Sequence, residues 1–121
     1  MPRINITEPG KESQPYHFDL KRKMVKIGRS SESDIKISNR SISKIHCIIE
    51  RRKGCYMIFD NGSANGIKLD GERRSDFTLT SGMEFEVGDI GVAFTLTEEE
   101  GDCLASEESQ KLREREAAGE E

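Results

Sequence analysis

Several residue types that support particular chemistries are scarce or absent in this chain. It has no tryptophan, aromatic residues make up 6% of the 121 positions, and only two histidines and three cysteines are present. Cys47, Cys55 and Cys103 show no C-x-x-C spacing, which argues against a disulfide framework and against a zinc site. Two scattered histidines are too few for a metal cluster, and no serine or cysteine stands in a recognisable nucleophile elbow. The sequence therefore predicts no metal, no cofactor and no enzymatic activity.

Long apolar segments are also missing. Hydrophobic residues make up 33% of the chain and charged residues 35%. No run approaches the roughly 20 apolar residues of a membrane-spanning helix. The start of the chain, Met1 to Asn5, contains no apolar stretch of signal-peptide length. We therefore expect a soluble, cytoplasmic monomer without a membrane span, built around one compact domain.

Charge is distributed unevenly along the chain, whose formal net charge is -4. Residues 98–121 hold ten acids and three bases, which leaves 13 acids and 16 bases, a net charge of +3, in residues 1–97. Because residues 98–121 contain few apolar side chains, they bury too little surface to offset their conformational entropy. The expectation is a domain over residues 1–97, followed by an acidic tail or linker over 98–121. This tail is predicted to be disordered or, in the alternative, weakly helical.

Short β-type segments alternate with turn residues over residues 3–97. Val25 and Ile27 alternate with Lys26, and the same pattern recurs at 35–37, which gives each segment one apolar face. Clusters of Gly, Ser, Asn and Asp separate the segments, a pattern typical of an all-β sandwich or barrel. Ten strands are predicted: Arg3–Thr7, Tyr16–Leu20, Met24–Arg29, Asp34–Ile37, His46–Arg52, Cys55–Asp60, Ile67–Leu69, Asp76–Leu79, Glu84–Val87 and Gly91–Thr97.

Three turns between these segments have clear signals. Arg52-Lys53-Gly54 and Asp70-Gly71 each separate two short β-type segments, as in tight hairpins. Asn61-Gly62 and Asn65-Gly66 mark a compact loop in which positive φ is easily reached. Loops of this kind on a β scaffold often carry function.

Side chains that donate hydrogen bonds are concentrated in the predicted loops. Loops from distant segments meet at one end of a β-sandwich, so these side chains would form one rim rich in donors. A guanidinium group matches two phosphate oxygens, and hydroxyl and ammonium groups add further donors. Such a rim suits one concentrated anionic group. Its members are Arg29, Arg40, Ser41, Ser43, Lys44 and Asn65.

Two basic runs, Lys21-Arg22-Lys23 and Arg51-Arg52-Lys53, raise nucleic-acid binding as an alternative. Both runs lie at predicted strand ends. The low aromatic content leaves no platform on which bases could stack. Solvated turns explain both runs better, so no nucleic-acid partner is expected.

The loop residues, taken in order, resemble the forkhead-associated (FHA) domain, a family that recognises phosphothreonine. The resemblance covers roughly residues 3–97. It is carried by Gly28-Arg29, Ser43-Lys44-Ile45-His46, Asp60-Asn61-Gly62-Ser63-Ala64-Asn65-Gly66 and Leu69-Asp70-Gly71. The resemblance implies a sandwich of about eleven strands whose loops at one end bind a threonine-phosphorylated protein or peptide, without a chemical step.

The resemblance also implies roles for individual residues. Arg29 and Ser43 would contact the phosphate directly, and Lys44 would also reach it. Asn65 would hydrogen-bond to the peptide main chain. The remaining residues are Gly28, His46 and Gly66, which would hold the loops in register, and Arg40 and Ser41, in the loop that often helps to select the third residue after the phosphothreonine.

One position departs from the family pattern. The residue before Asn65-Gly66 is commonly Thr or Ser and adds a hydrogen bond to phosphate, whereas here it is Ala64. A hydrogen bond to a charged group is worth about 1.5–3 kcal/mol, or roughly ten- to a hundredfold in affinity. We therefore expect weakened phosphopeptide binding. The alternative is a phosphate-independent scaffold of the same fold in a multiprotein assembly, such as a bacterial secretion or signalling complex.

Overall fold

Eleven strands carry most of residues 3–95 in the computed structural model, which describes residues 1–107. None is longer than six residues, because Gly, Ser, Asn and Asp turns interrupt the chain at short intervals. The strands are β1 (Arg3–Thr7), β2 (Gln14–His17), β3 (Met24–Gly28), β4 (Ile35–Lys36), β5 (Cys47–Arg52), β6 (Cys55–Asp60), β7 (Ile67–Leu69), β8 (Glu72–Arg74), β9 (Asp76–Leu79), β10 (Met83–Val87) and β11 (Ile90–Thr95).

The strands form two sheets that enclose the core. One sheet has six strands in the order β2-β1-β11-β10-β7-β8, and the other has five in the order β4-β3-β5-β6-β9. The pair β3 and β5 is antiparallel, whereas β3 and β4 are parallel. Because β5 lies antiparallel to both β3 and β6, the end of β3, the start of β5 and the end of β6 meet at one end of the sandwich.

Alternation along each strand supplies the core between the sheets. On β3, Val25 and Ile27 are 2% and 0% exposed. Tyr56 lies between the rings of Phe18 and Phe94, with edge-to-face geometry and centroid separations of 5.6 and 5.8 Å. Burying one large apolar side chain contributes about 1.5–3 kcal/mol, so this regular burial is the main force that holds the sheets together.

The fold class predicted from the sequence, an all-β sandwich of about eleven strands, is confirmed. Each of the ten predicted segments overlaps a strand. No prediction covers β8, because its three residues are all charged and exposed and no apolar side chain marks the segment. The predicted segment Tyr16–Leu20 begins too late. The strand there is β2, which also ends earlier, at His17. Phe18 lies in the loop that follows β2, and its side chain is buried in the core.

The predicted hairpin turns are also present. Asp70 and Gly71, between β7 and β8, have φ of 53° and 80°, the two positive values that a type I′ turn needs. Gly54, between β5 and β6, has φ of 83°. Because these values arise from local turn chemistry, the sequence was sufficient to predict both connections.

A helix at residues 98–107 follows the last strand and packs against the sandwich. Thr97 and Glu100 form a reciprocal cap, in which the Thr97 hydroxyl accepts from the Glu100 N–H at 3.2 Å and the Glu100 carboxylate accepts from the Thr97 N–H at 2.9 Å. Burial acts to raise the pKa of Glu100, but its bonds with Thr97 and the amino group of Met1, 3.0 Å away, lower it overall. Leu104 is 6% exposed and joins the core.

Arg51 fastens Glu107, the last residue that the structure describes, to the β5–β6 hairpin. Its guanidinium donates to both carboxylate oxygens of Glu107, at 2.9 and 2.6 Å, and the Gly54 N–H donates to the same carboxylate at 3.2 Å. The hydrogen bond between Arg51 and Glu107 lowers the pKa of the carboxyl and raises the pKa of the guanidinium. Arg51 also lies 5.3 Å from the ring centroid of Tyr56, and burial raises the pKa of that phenol to about 12. Because the hairpin is at the far end of β5, the helix closes the end of the sandwich opposite to the loops before β5.

The helical alternative for the acidic tail therefore applies to residues 98–107. A capping pair, one buried leucine and a two-point ion pair stabilise a helix that the composition did not favour. The rest of the tail prediction concerns residues 108–121, which lie outside the described residues. The division of the chain at residue 97 stays a prediction. Within residues 1–107, no helix is long and apolar enough to cross a membrane.

Two substitutions in the helix should change stability in opposite directions. Gly101→Ala should raise the free energy of unfolding by about 0.5–1 kcal/mol, because the new β-carbon meets no atom within 4 Å and alanine favours the helix. Leu104→Ala should lower it by about 2–4 kcal/mol, because a buried side chain is removed. Urea denaturation followed by circular dichroism measures both changes. A neutral Leu104→Ala would show that the helix does not pack on the sandwich in solution.

Candidate functional site

A buried histidine joins three segments at one end of the sandwich. His46, immediately before β5, is 0% exposed. Its Nδ1 accepts from the Ser43 N–H at 3.0 Å, and its Nε2 lies 2.8 Å from the Gly66 carbonyl oxygen, so the neutral ring donates there. The backbone N–H of His46 donates to the Ile27 carbonyl of β3 at 2.8 Å. The histidine thus fixes the loop before β5 both to β3 and to the loop after β6.

Gly28 allows the end of β3 to lie against the loop before β5. The N–H groups of Arg29 and Ser30 donate to the carbonyls of Ser43 and Lys44, each at 3.0 Å. A β-carbon on Gly28 would overlap the Lys44 carbonyl oxygen and lie 2.8 Å from its carbonyl carbon. The close approach at this glycine therefore brings Arg29 beside Ser43 and Lys44.

The Ser43 hydroxyl is oriented by the loop between β6 and β7. Its oxygen accepts from the Ala64 N–H at 3.2 Å. This bond uses an acceptor lone pair of the hydroxyl and leaves its proton able to donate elsewhere. Ser43 is half-buried, so the hydroxyl is held in place while part of the residue stays open to solvent.

Ser41 and Asn65 connect the same loops with the β10–β11 turn. The Asn65 side-chain amide donates to the Ser41 carbonyl at 2.8 Å. The Ser41 hydroxyl donates to the side-chain oxygen of Asn39 at 2.8 Å and accepts from the Asp89 N–H at 3.0 Å. Ser41 is 7% exposed, so it positions the loop from inside. Asn65 is exposed, and its side-chain oxygen accepts no hydrogen bond from residues 1–107.

Ser63 and Arg73 brace the loop after β6 from opposite sides. The Ser63 hydroxyl donates to the Asp60 carboxylate and accepts from the Gly66 N–H at 2.9 Å. From β8, Arg73 Nη2 donates to the Ser63 carbonyl at 3.0 Å. A β-carbon on Gly66 would overlap the Nε of Arg73, and Gly66 has φ of 72°. Glycine at this position thus serves both the turn and the approach of the guanidinium.

Three cations in these loops have no partner in the described part of the chain. Arg29, Arg40 and Lys44 are exposed, and no hydrogen bond or ion pair joins their side chains to another of residues 1–107. Other arginines of the protein do pair with carboxylates, namely Arg22, Arg51, Arg52 and Arg74. We call the end of the sandwich formed by the loops after β3, before β5 and after β6 the loop end. It presents positive charge and free hydrogen-bond donors together, which suits an anion.

The structure brings together the residues that the sequence analysis placed in the site. Hydrogen bonds and close backbone contacts connect the segments that carry Gly28, Arg29, Ser41, Ser43, Lys44, His46, Asn65 and Gly66. Arg40 precedes Ser41 in the same loop. The proximity of these residues is observed, whereas their roles toward a ligand stay predictions.

Sequence reasoning did not assign roles in the site to Asn39, Ser63, Arg73 and Asp89. Ser63 had a usable signal, because serine hydroxyls in turns often hydrogen-bond to the backbone of a nearby residue, as that of Ser63 does to the Gly66 N–H. Asn39 also had a local signal, because its side-chain oxygen accepts from the N–H of Ser41, two residues on, at 2.9 Å, as in an Asx turn. Asp89 and Arg73 act across elements that are distant in the sequence: Asp89 reaches Ser41 from the β10–β11 turn, and Arg73 reaches Ser63 from β8. No local pattern indicates such contacts.

A shallow concavity elsewhere, on the outer face of the six-stranded sheet, does not share this chemistry. Gly91 and Ala93 of β11 line it, together with Glu84 and Glu86 of β10. Asp70 adds a third carboxylate to this lining, against a single cation, Lys68, so the concavity would repel an anion. The loop end is therefore the better candidate for an anion-binding function.

The protein is a β-sandwich whose sheets supply stability and whose loops gather exposed donors and cations at one end, the usual architecture of a binding module. The sequence model of the FHA domain family matches residues 25–88, just over half of the chain. The protein belongs to the FHA domain family, and the resemblance recognised in its motifs is confirmed. The matched range includes every loop residue of the site from Gly28 to Gly66.

Relatives and solved structures agree with this assignment. The oxoglutarate dehydrogenase inhibitor of Corynebacterium diphtheriae is 34% identical over 77 residues, which cover 64% of this chain and 54% of that protein. The chain thus spans about half the length of the curated relatives it matches. The Slr1951 protein from Synechocystis sp. shares the fold with a TM-score of 0.70 and 22% identity, over 80% of this chain and 99% of that one. Mycobacterium tuberculosis EmbR, in complex with a low affinity phosphopeptide, has a TM-score of 0.63 and 25% identity, over 78% of this chain and 24% of that one.

Gly28→Ala should destabilise the loop junction. The added β-carbon overlaps a backbone carbonyl that neighbouring strands hold in place, so the free energy of unfolding should fall by at least about 2 kcal/mol. Gly91→Ala is the matched control, because its β-carbon would have no atom closer than 3.7 Å and should be nearly neutral. Urea denaturation gives the two values, and amide chemical shifts of Arg29 report the local change. Equal destabilisation by the two variants would contradict a steric requirement at Gly28.

Proposed function

We propose that this chain is a non-catalytic module that recognises threonine-phosphorylated proteins or peptides in the cytoplasm and acts as a monomer. The observation that carries the proposal is the junction at His46, which holds the loops of Arg29, Ser43 and Lys44 together. The side chains of Arg29 and Lys44 have no partner in residues 1–107, so the positive charge that a phosphate would neutralise is uncompensated. Membership of the FHA family and the phosphopeptide complex of a relative support the same function.

The phosphate would be bound by donors of three kinds. Arg29 would offer a planar fork to two phosphate oxygens. The Ser43 hydroxyl, whose oxygen already accepts from Ala64, would donate its proton to a further oxygen. Lys44 would add an ammonium group. Because the Ser43 orientation is set before a ligand arrives, little ordering entropy is lost on binding. We expect an affinity on the order of micromolar, or about -8 kcal/mol.

Asn65 would orient the peptide across the loops. Its amide nitrogen donates to the Ser41 carbonyl, which leaves its side-chain oxygen to accept from a peptide N–H. Arg40 is exposed in the adjoining loop and would contact the third residue after the phosphothreonine. The Ser41 hydroxyl is engaged by Asn39 and Asp89, so Ser41 would shape this loop without touching the peptide through its side chain.

Arg29→Ala should abolish the binding of phosphothreonine peptides, with a loss of at least about a hundredfold, because the fork that holds two phosphate oxygens is removed. Isothermal titration calorimetry with a phosphothreonine peptide library measures this loss, and the unphosphorylated library should give no heat. Arg3→Ala is the matched control, since it removes the same charge from an exposed position on β1 and should leave affinity unchanged.

A phosphate-independent scaffold is the second candidate function, and Ala64 is the observation that favours it. This position lacks the hydroxyl that would complete the phosphate site, although its N–H still supports Ser43. Binding of unmodified partners that survives Arg29→Ala would establish this second function and contradict the first.

Ala64→Thr should strengthen phosphopeptide binding by roughly ten- to a hundredfold. Ala64 is exposed and lies next to the Ser43 hydroxyl, so a threonine hydroxyl there would stand at the edge of the proposed phosphate site. Ala64→Val is the matched control, because valine adds a similar volume without a donor. Calorimetry with one phosphothreonine peptide compares the three proteins. An equal gain with valine, or no gain with threonine, would contradict a missing hydrogen bond as the cause of weak binding.

A further inference from the structure

Arg73 has no part in the recognition proposed above, yet it lies against the loop that carries Asn65. Its guanidinium donates to the Ser63 carbonyl at 3.0 Å and lies beside Gly66. It therefore touches the chain on both sides of the Ala64-Asn65 pair. The strand that carries it, β8, is at the edge of the six-stranded sheet and is exposed throughout. A ligand that binds to Asn65 would lie within a side chain's length of this guanidinium.

The charge of Arg73 is not neutralised within residues 1–107. No carboxylate in that range forms an ion pair with it, and its cross-strand partner on β7 is a second cation, Lys68. Like charges directly opposite each other on neighbouring strands are unfavourable. The next residue, Arg74, is paired with Glu72 at 3.4 Å. One guanidinium donor of Arg73 binds Ser63, and its other donors have no acceptor among the described residues.

We propose that Arg73 forms an anionic subsite that binds a carboxylate of the peptide, from an Asp or Glu that flanks the phosphothreonine. This inference rests on the proposed phosphopeptide function and adds the chemistry of the flanking sequence. Asn65 would hold the peptide main chain over the loop, and the planar fork of Arg73 would receive the carboxylate. The guanidinium of Arg73 would then acquire a counter-charge on binding. Arg73 is thereby a specificity-determining residue for acidic phosphopeptides.

A peptide scan with two matched variants tests this subsite. The parent is a phosphothreonine peptide with uncharged flanks, and each derivative carries one Asp at a position from four before to four after the phosphothreonine. Fluorescence anisotropy gives the affinity of each peptide for the wild-type chain, for Arg73→Gln and for Arg74→Gln. The Arg74→Gln control removes the same charge from the same strand at a residue that is already paired with Glu72.

The wild-type chain should bind at least one Asp derivative about three- to tenfold more tightly than the parent, as expected for a partly exposed pair of this kind. Arg73→Gln should remove that preference, so that the preferred Asp derivative loses about three- to tenfold more affinity than the parent, whose own loss reflects only the missing bond to Ser63. Arg74→Gln should retain the preference. These three results together would support the subsite.

Other results would overturn it in distinguishable ways. If the parent peptide bound only when phosphorylated and no Asp derivative bound more tightly, the subsite alone would be refuted. The same would follow if the tighter binding of an Asp derivative persisted in Arg73→Gln and was lost in Arg40→Gln. An equal loss for the parent and for the Asp derivatives in Arg73→Gln would reduce Arg73 to a brace of the Ser63 loop. If the dephosphorylated parent bound as well as the phosphorylated one, the proposed function itself would fail, and the subsite with it.

Discussion

The arrangement of the loops at the Arg29 end of the sandwich depends on the two hydrogen bonds of the neutral His46 imidazole. Its Nδ1 accepts from the Ser43 N–H, and its Nε2 donates to the carbonyl of Gly66, which lies 20 residues away in the chain. An imidazolium would donate from both nitrogens and lose the bond with Ser43. An aliphatic side chain would leave the Ser43 N–H unpaired and the Gly66 carbonyl with only its bond from the Gly88 N–H, at 3.1 Å. Each unpaired buried group costs about 1–3 kcal/mol. A fully buried histidine can therefore be essential to a site without taking part in chemistry.

The two ends of the sandwich use charge in opposite ways. At the helix end, Arg51 is matched by Glu107, and the bidentate pair fastens residues 98–107 to the β5–β6 hairpin. At the loop end, Arg29, Arg40 and Lys44 have no matching carboxylate among residues 1–107. Paired charges stabilise the fold, and unpaired charges held close together by a rigid scaffold are available to a ligand. The length of β5 and β6 separates these two ends of the sandwich.

The loop end is also organised before any ligand binds. Ser43 is oriented by Ala64, the Asn65 amide is held by Ser41, and Arg73 lies against Gly66. Such bonds reduce the entropy that binding must remove. The N–H of Ala64 takes part in this organisation through its bond to Ser43, although the position offers no side-chain hydroxyl.

The sequence by itself determined most strands, the hairpin turns, the family and the segments that form the site, because alternation, positive-φ turn residues and ordered motifs are local signals. Only the tertiary structure decided which loops touch, because the contacts of His46 with Gly66 and of Arg73 with Ser63 join residues remote in sequence. It also decided β8, whose charged residues carry no strand signal, and the helix at residues 98–107. Composition disfavoured that helix because its residues include few apolar side chains. The helix is stabilised by the burial of Leu104 in the core and by the ion pair with Arg51, contacts that exist only once the sandwich has formed.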